Sequence, residues 1–264
     1  MKSVHSPRFP LIALPASLGT LAAQSPGNVQ VTADIVYSTY GTRQLKLAIY
    51  RPPSTKPLPG IVVIRGGGWR RGDKQGFASI ARNVAAKGFV TACIEYRALP
   101  EVQFPDPVYD TKAAVRWMRA EGPRYGVATD SIEGDGGHAG VSSRVQAVVA
   151  LAPVTDFAAM SRTGAAGSNI VQVLFQNKIE VANSFSPVTY LKKDSAPILF
   201  IHGDADKTVF TAQSEEMLER CKKADVRASL ITLKGVPHAF WNQPKWAADT
   251  ITQAAAFFHD VLGH

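Results

Sequence analysis

No apolar run in this sequence approaches the ~18 residues that cross a bilayer as a helix, so an integral membrane protein of that kind is excluded. Cysteine is scarce as well: there are two, Cys93 and Cys221, far apart in the chain. Two are too few for a disulfide framework, no metal-binding spacing involves them, and both sit in apolar segments, where they read as small core residues. No segment recurs at a fixed period, which argues against a solenoid. The formal net charge is +8. The basic residues are nevertheless scattered, with no basic run and no aromatic-plus-basic module, so a nucleic-acid partner is not supported. What is present is a globular composition. Of 264 residues, 45% are hydrophobic and 19% charged, enough to fill a core.

Lys2 and Arg8 are the only charges in the first 23 residues, and an apolar stretch runs from Phe9 to Ala23, interrupted by Pro10 and Pro15. Small residues near Leu21-Ala22-Ala23-Gln24 complete the charged, apolar, small-residue order of an export signal. The expectation is a signal peptide at 1–23, a single domain over 24–264 and a secreted or periplasmic location.

Beyond the linker, Val31–Tyr37 and Leu45–Tyr50 flank a turn at Gly41 and read as a hairpin. Ile61–Ile64 is wholly apolar, as for a strand buried on both faces. Phe77, Ile80, Ala81, Val84 and Ala85 then repeat at helical spacing, with Gly88 placed to end the helix. Phe89–Tyr96 reads as a buried strand, and Val108, Thr111, Val115 and Met118 as one face of a helix. Val145–Leu151, Ile198–Ile201 and Ala228–Leu233 are further strands; Met217, Leu218 and Cys221 mark a helix, and a last helix begins near Trp246. Strands alternating with helices predict an α/β protein with a mostly parallel sheet flanked by helices. Function in such sheets collects in the loops after the strands' C-terminal ends.

Three of those loops carry chemistry. Arg65-Gly66-Gly67-Gly68-Trp69 can bend sharply and present bare N–H groups to a developing oxyanion, although alone it reads as a tight turn. His202-Gly203-Asp204-Ala205-Asp206 follows a buried strand, where an aspartate can orient a histidine, or cap the next helix. His238, in Gly235-Val236-Pro237-His238-Ala239-Phe240, lies between the final strand and the final helix and suits a general base.

Together these stretches resemble the α/β hydrolases, in particular secreted bacterial esterases similar to feruloyl and acetyl-xylan esterases. The resemblance is carried by IVVIRGGGWRRGDK, FPDPVYDTKAAVRWMRAEGPRYGV, SPVTYLKKDSAPILFIHGDADKTV and GVPHAFW, in that order, from about Ile35 to Leu262. It implies an α/β-hydrolase fold and a carboxylic-ester hydrolase acting on small-molecule or carbohydrate-linked esters, without a cofactor or a metal. It also implies that Asp206 and His238 are the acid and base of a triad, with Asp206 preferred to Asp204, and that Gly67 and Gly68 form the oxyanion hole. Trp69 and Trp241 flank the implied substrate cleft.

The nucleophile is missing. The family motif G-x-S-x-G places its serine on a sharp turn between a strand and a helix, and no such motif occurs in this sequence. By resemblance it belongs after Ser131-Ile132, where the chain instead passes to Glu133-Gly134-Asp135-Gly136-Gly137-His138. A strand of ~5–6 residues and a crossover of a dozen or more do not fit between Ile132 and Arg144. The simplest account is the loss of one central strand–helix unit. The sheet then closes by sliding Val145–Leu151 into the vacancy, or it keeps unpaired edges in its middle. Ser142 and Ser143 precede a strand and so belong at the wrong end of the sheet for a replacement, Ser131 is similarly placed, and Thr155 has no supporting motif. The alternative function is a non-catalytic, saccharide-binding relative.

Overall fold

The computed structural model describes residues 26–70, 74–128, 140–164 and 169–263. The predicted signal segment, Ser131 and the Glu133–His138 stretch lie outside the described residues.

The expected hairpin forms from β1 (Gln30–Tyr40) and β2 (Arg43–Arg51), paired antiparallel around Gly41. Its register shifts near Asp34, which takes a left-handed backbone (φ 57°), the signature of a bulge. β3 (Gly60–Ile64) leads through the glycine loop to α1 (Ala78–Ala85), β4 (Val90–Ile94) and α2 (Asp106–Glu121). β4 is buried at all five positions because it sits between β2 and β3 with helices on both faces. Alternate residues serve alternate faces. Cys93 packs with α1 and with α7 (Pro244–Leu262), the last helix, while Ala92 and Ile94 pack with α2. Gly88 ends the α1 turn at φ 99°, as expected.

A second sheet follows: β5 (Val148–Leu151), β6 (Ile198–Gly203) and β7 (Ala228–Leu233), all parallel. Between β5 and β6 come three short helices, α3 (Phe157–Ser161), α4 (Ile170–Phe175) and α5 (Ile179–Phe185). Phe157, Leu174 and Phe175 pack there against Trp69 and Phe104. α6 (Ala212–Lys223) covers β6 and β7 through Met217 and Cys221. Cys93 and Cys221 are fully buried and neither forms a disulfide. Among the described residues no helix is long and apolar enough to cross a membrane.

The strand orders are β1-β2-β4-β3 and β5-β6-β7, as two separate sheets. Of the two closures the sequence left open, the structure adopts the second. Among the described residues β3 pairs only with β4, and β5 only with β6. The start of a further strand is visible. Leu58 N–H donates to the Gly126 carbonyl at 2.9 Å and Ala128 N–H to the Leu58 carbonyl at 2.8 Å. This parallel bridge, Leu58 to Val127, lies just before β3, and the described residues on that side end at Ala128.

Two expectations are corrected for this reason. Ile61–Ile64 is not buried on both faces: Val63 is buried, but Ile64 is 46% exposed, β4 being its one neighbouring strand among the described residues. The strand expected over Val145–Leu151 begins only at Val148, and Val145 is exposed. α7 holds the halves together on one face. Ile251, Ala255 and Phe258 pack with α1, and Phe257 with β5 and β6.

Candidate active site

The loops after β6 and β7 are stitched together by backbone contacts of their own. Gly203, the last residue of β6, lies so close to the other loop that a Cβ would stand 2.1 Å from the Val236 carbonyl oxygen. Only glycine permits this approach. Ala205 N–H donates to that same carbonyl at 3.2 Å. Asp204 N–H donates to the Leu233 carbonyl at 3.1 Å, and the Asp204 carboxylate accepts from Gly235 N–H at 2.6 Å.

On this support Asp206 and His238 meet, with His238 Nδ1 2.6 Å from Asp206 Oδ2. The Asp206 side chain is wholly buried, while His238 keeps an exposed edge. Oδ1 of Asp206 accepts from Thr208 N–H at 2.8 Å and Val209 N–H at 2.9 Å. Burial pushes the carboxyl up, but the contacts from His202 and His238 and the two backbone donors outweigh it and hold Asp206 well below the ordinary carboxylate range. An anionic acceptor on Nδ1 fixes that nitrogen as the donor and leaves Nε2 as the basic atom.

His202 was not singled out from the sequence, yet it braces the acid. Its ring is fully buried, with Nε2 2.8 Å from the Val209 carbonyl and 3.4 Å from Asp206 Oδ2. Because the carbonyl only accepts, Nε2 carries the proton, and Nδ1 accepts from the Ser214 hydroxyl at 2.7 Å. The available signal was a histidine inside a buried strand, where a polar ring needs partners on both nitrogens.

The glycine loop takes left-handed or extended-positive backbone at three successive residues, Gly67 (φ 138°), Gly68 (φ 62°) and Trp69 (φ 59°). Two of these being glycine makes the turn accessible. The Tyr96 hydroxyl donates to the Arg65 carbonyl at 2.8 Å, and Leu99 N–H to the Trp69 carbonyl at 2.8 Å. The brace on this loop therefore uses backbone carbonyls at both ends. Among the described residues no acceptor takes the N–H of Gly67 or Gly68.

A cavity of about 580 Å³ gathers the expected residues: Gly67, Gly68, Trp69, His238 and Trp241 all line it, with Asp206 behind His238. Trp241 stands edge-on to His238, with ring centroids 5.3 Å apart, and Trp69 packs against Phe157 at 5.4 Å. The hydroxyls considered as substitutes do not serve. Thr155 is buried and its hydroxyl donates to the Gln213 carbonyl at 2.7 Å. Ser142 and Ser143 lie ahead of β5, and Ser142 accepts from Arg144 N–H. Asp156 caps α3 through a 2.8 Å bond from Ala159 N–H.

The profile of one protein family, BD-FAE, matches residues 47–143 and 138–221. The chain belongs to the BD-FAE family. The two matched stretches overlap at 138–143. Curated relatives of this BD-FAE chain include a probable carboxylic ester hydrolase, LipM, of Mycobacterium tuberculosis, 28% identical over 86% of this chain and 62% of that protein. Esterase LipC of the same organism is 27% identical over 70% of this chain and 54% of that protein. The chain thus spans little more than half the length of these relatives. Among solved structures, a thermophilic esterase of Thermogutta terrifontis superposes with a TM-score of 0.71 at 24% identity, covering 89% of this chain and 93% of that one. The acetyl ester-xyloside bifunctional hydrolase of Caldicellulosiruptor lactoaceticus superposes with a TM-score of 0.74 at 18% identity, covering 86% and 96%. The fold is that of the α/β hydrolases, as the sequence resemblance implied.

Proposed function

We propose that this chain carries a carboxylic-ester hydrolase site of the Ser-Asp-His type from which the serine has been lost, so that it binds short acyl or carbohydrate-linked esters and turns them over slowly. The observation that carries this reading is the 2.6 Å contact of Asp206 with His238 on a cavity wall shared with the unclaimed N–H groups of Gly67 and Gly68. Asp206 is the acid that orients the ring and stabilises its charged form, and His238 Nε2 is the base. The N–H groups of Gly67 and Gly68 form the oxyanion hole.

Without a serine, the group His238 activates is water. Nε2 takes a proton as the water oxygen bonds to the ester carbonyl carbon, and the oxygen of that carbonyl becomes the anion that the loop stabilises. Collapse of this intermediate breaks the bond to the alkoxide, which leaves with the proton held on Nε2. Loss of a triad serine lowers turnover by about 10⁶-fold in a well-characterised case, while the oxyanion hole and binding preserve a residue of catalysis. The absence of G-x-S-x-G anywhere in the sequence supports the loss of the nucleophile.

The test pairs p-nitrophenyl acetate hydrolysis with mass spectrometry of the fluorophosphonate-treated protein. We expect no stoichiometric adduct and a residual turnover that His238→Ala removes. A serine adduct overturns the loss of the nucleophile, and turnover unchanged in His238→Ala overturns the role of His238.

Trp69 and Trp241 on the same cavity favour a second reading, a saccharide-binding relative without turnover. Saturable binding of an unesterified oligosaccharide, weakened in Trp241→Ala, is its signature. We also propose export to a secreted or periplasmic location, on the sequence of residues 1–23 alone.

A further inference from the structure

The cavity beside the Asp206–His238 pair does not stop there. It continues between the two sheets, along Ile61–Ile64 of β3 on one side and Val149–Leu151 of β5 on the other. Ile80 and Val84 of α1 and Ile251, Ala254 and Phe258 of α7 close it on one face, and Val108 and Thr111 of α2 line it on the other. It is a slot with two strand edges for sides and apolar helices for floor and roof.

The hydrogen-bond parity shows which backbone groups face this slot. Successive residues of a strand direct their N–H and C=O groups to opposite sides. Pro59 accepts from Val90 at the start of β4, so Ile61 and Val63 serve β4, while Leu58 bonds on the other side, to Gly126 and Ala128. Val62 and Ile64 therefore point into the slot. On β5, Val148 and Ala152 N–H donate to Pro197 and Ile201, the β6 side, so Val149 and Leu151 point into the slot. These four have register partners in β4 and β6, but among the described residues nothing bonds to their backbone N–H and C=O groups on the slot side.

We propose that the slot is a receptor site for an extended apolar peptide segment of about five residues from a partner protein, added as a strand between β3 and β5. An alkyl chain would match the floor and roof but would leave the slot-side N–H and C=O groups of all four residues without partners among the described residues, and each such loss is unfavourable in a dry site. A peptide backbone supplies donors and acceptors on both of its sides, which is the basis of recognition by strand addition. Both faces of the added strand meet mostly apolar side chains, so the segment must be apolar or small at successive positions, as β4 is with its one threonine. The slot and the part beside His238 together enclose about 580 Å³, in the range of ordinary ligand sites. The inference stands on the divided sheet and is independent of ester turnover.

The test uses the full chain and a soluble heptapeptide whose five central residues copy β4, VTACI with alanine for cysteine, between two lysines. Two probes are compared with it: the same peptide N-methylated at alternate amides, and decanoate. Amide hydrogen exchange is read residue by residue. Without peptide, the amides of Val62, Ile64, Val149 and Leu151 exchange faster than those of Ile61 and Val63. With saturating peptide these four slow at least tenfold, the N-methylated peptide has no such effect, and Ala254→Leu, which fills the slot, weakens binding at least tenfold. Failure of the peptide to protect these amides overturns the proposal. So does equal protection by the N-methylated peptide or by decanoate, either of which would make the slot a plain apolar pocket.

Discussion

Two adjacent alanines on α7 offer a direct measure of the space left in the sheet. Ala254 lines the slot, whereas Ala255, also buried, packs into the core around Phe89 and Phe258 and does not line it. Leucine at either position adds three carbon atoms to the same helix at nearly the same small propensity cost. At Ala254 those atoms enter open space. Burying them yields ~2.4 kcal/mol at ~0.8 kcal/mol per methylene, and ordering the leucine side chain costs roughly 0.5–1 kcal/mol. The expected outcome for Ala254→Leu is a stabilisation of ~1–2 kcal/mol, a rise in Tm of roughly 3–6 °C for a domain of this size. At Ala255 the same atoms meet packed neighbours, and overpacking costs about 1–3 kcal/mol. Urea unfolding of both variants beside the parent, with circular dichroism to check the native fold, reads the difference. Destabilisation of equal size at both positions would refute the reasoning, because it would mean that no space lies beside Ala254.

Three further outcomes follow from the site and the sheet. Asp206→Asn should lower stability at pH 7 by roughly 2–3 kcal/mol, since hydrogen bonds to a charged group are lost, and should also flatten the acid limb. The carboxyl is held below its unfolded value of about 3.9, so its contribution is fully present above that pH and is lost as pH falls below it; an equally steep acid limb in the variant would contradict this. Gly203→Ala should destabilise by about 3 kcal/mol or more, because the new Cβ meets a backbone carbonyl that cannot rotate away; a Tm within 2 °C of the parent would exclude that clash. The whole chain should melt below an intact esterase of the same fold, its β3 and β5 edges having no strand between them among the described residues. Calorimetry of the two proteins side by side checks this, and an equal Tm would refute it.

Much of the architecture was legible in residue type. Val90–Ile94 is apolar or small throughout and proves to be the most deeply buried strand. Leu45–Tyr50 and Val31–Tyr37 are β-branched and aromatic around a glycine, and they form the hairpin. α3, α4 and α5 were not read from the sequence. They have five, six and seven residues, too few for a helical period to show, and helices this short persist through tertiary contacts with Trp69 and Phe104. The site was legible through its motifs: Gly67, Gly68, Trp69, His238 and Trp241 do share one cavity, with Asp206 behind His238. The supports of the acid were less so. His202 and the backbone donors of Thr208 and Val209 reach Asp206 only because the chain folds back after β6, and spacing alone does not encode that bend.

The sequence by itself determined that the chain alternates strands and helices, that an aspartate, a histidine and a glycine loop follow strand ends, and that no G-x-S-x-G motif occurs. Those are local facts, set by side-chain chemistry and by how many residues a strand and a crossover require. Only the tertiary structure decided how the described strands divide into two sheets. A strand can shift sideways only if its connections and its side-chain packing shift with it. β5 is held in register with β6 from Val148 to Leu151, and Phe257 of α7 packs against both strands, so β5 stays with β6. The slot beside β3 is the consequence.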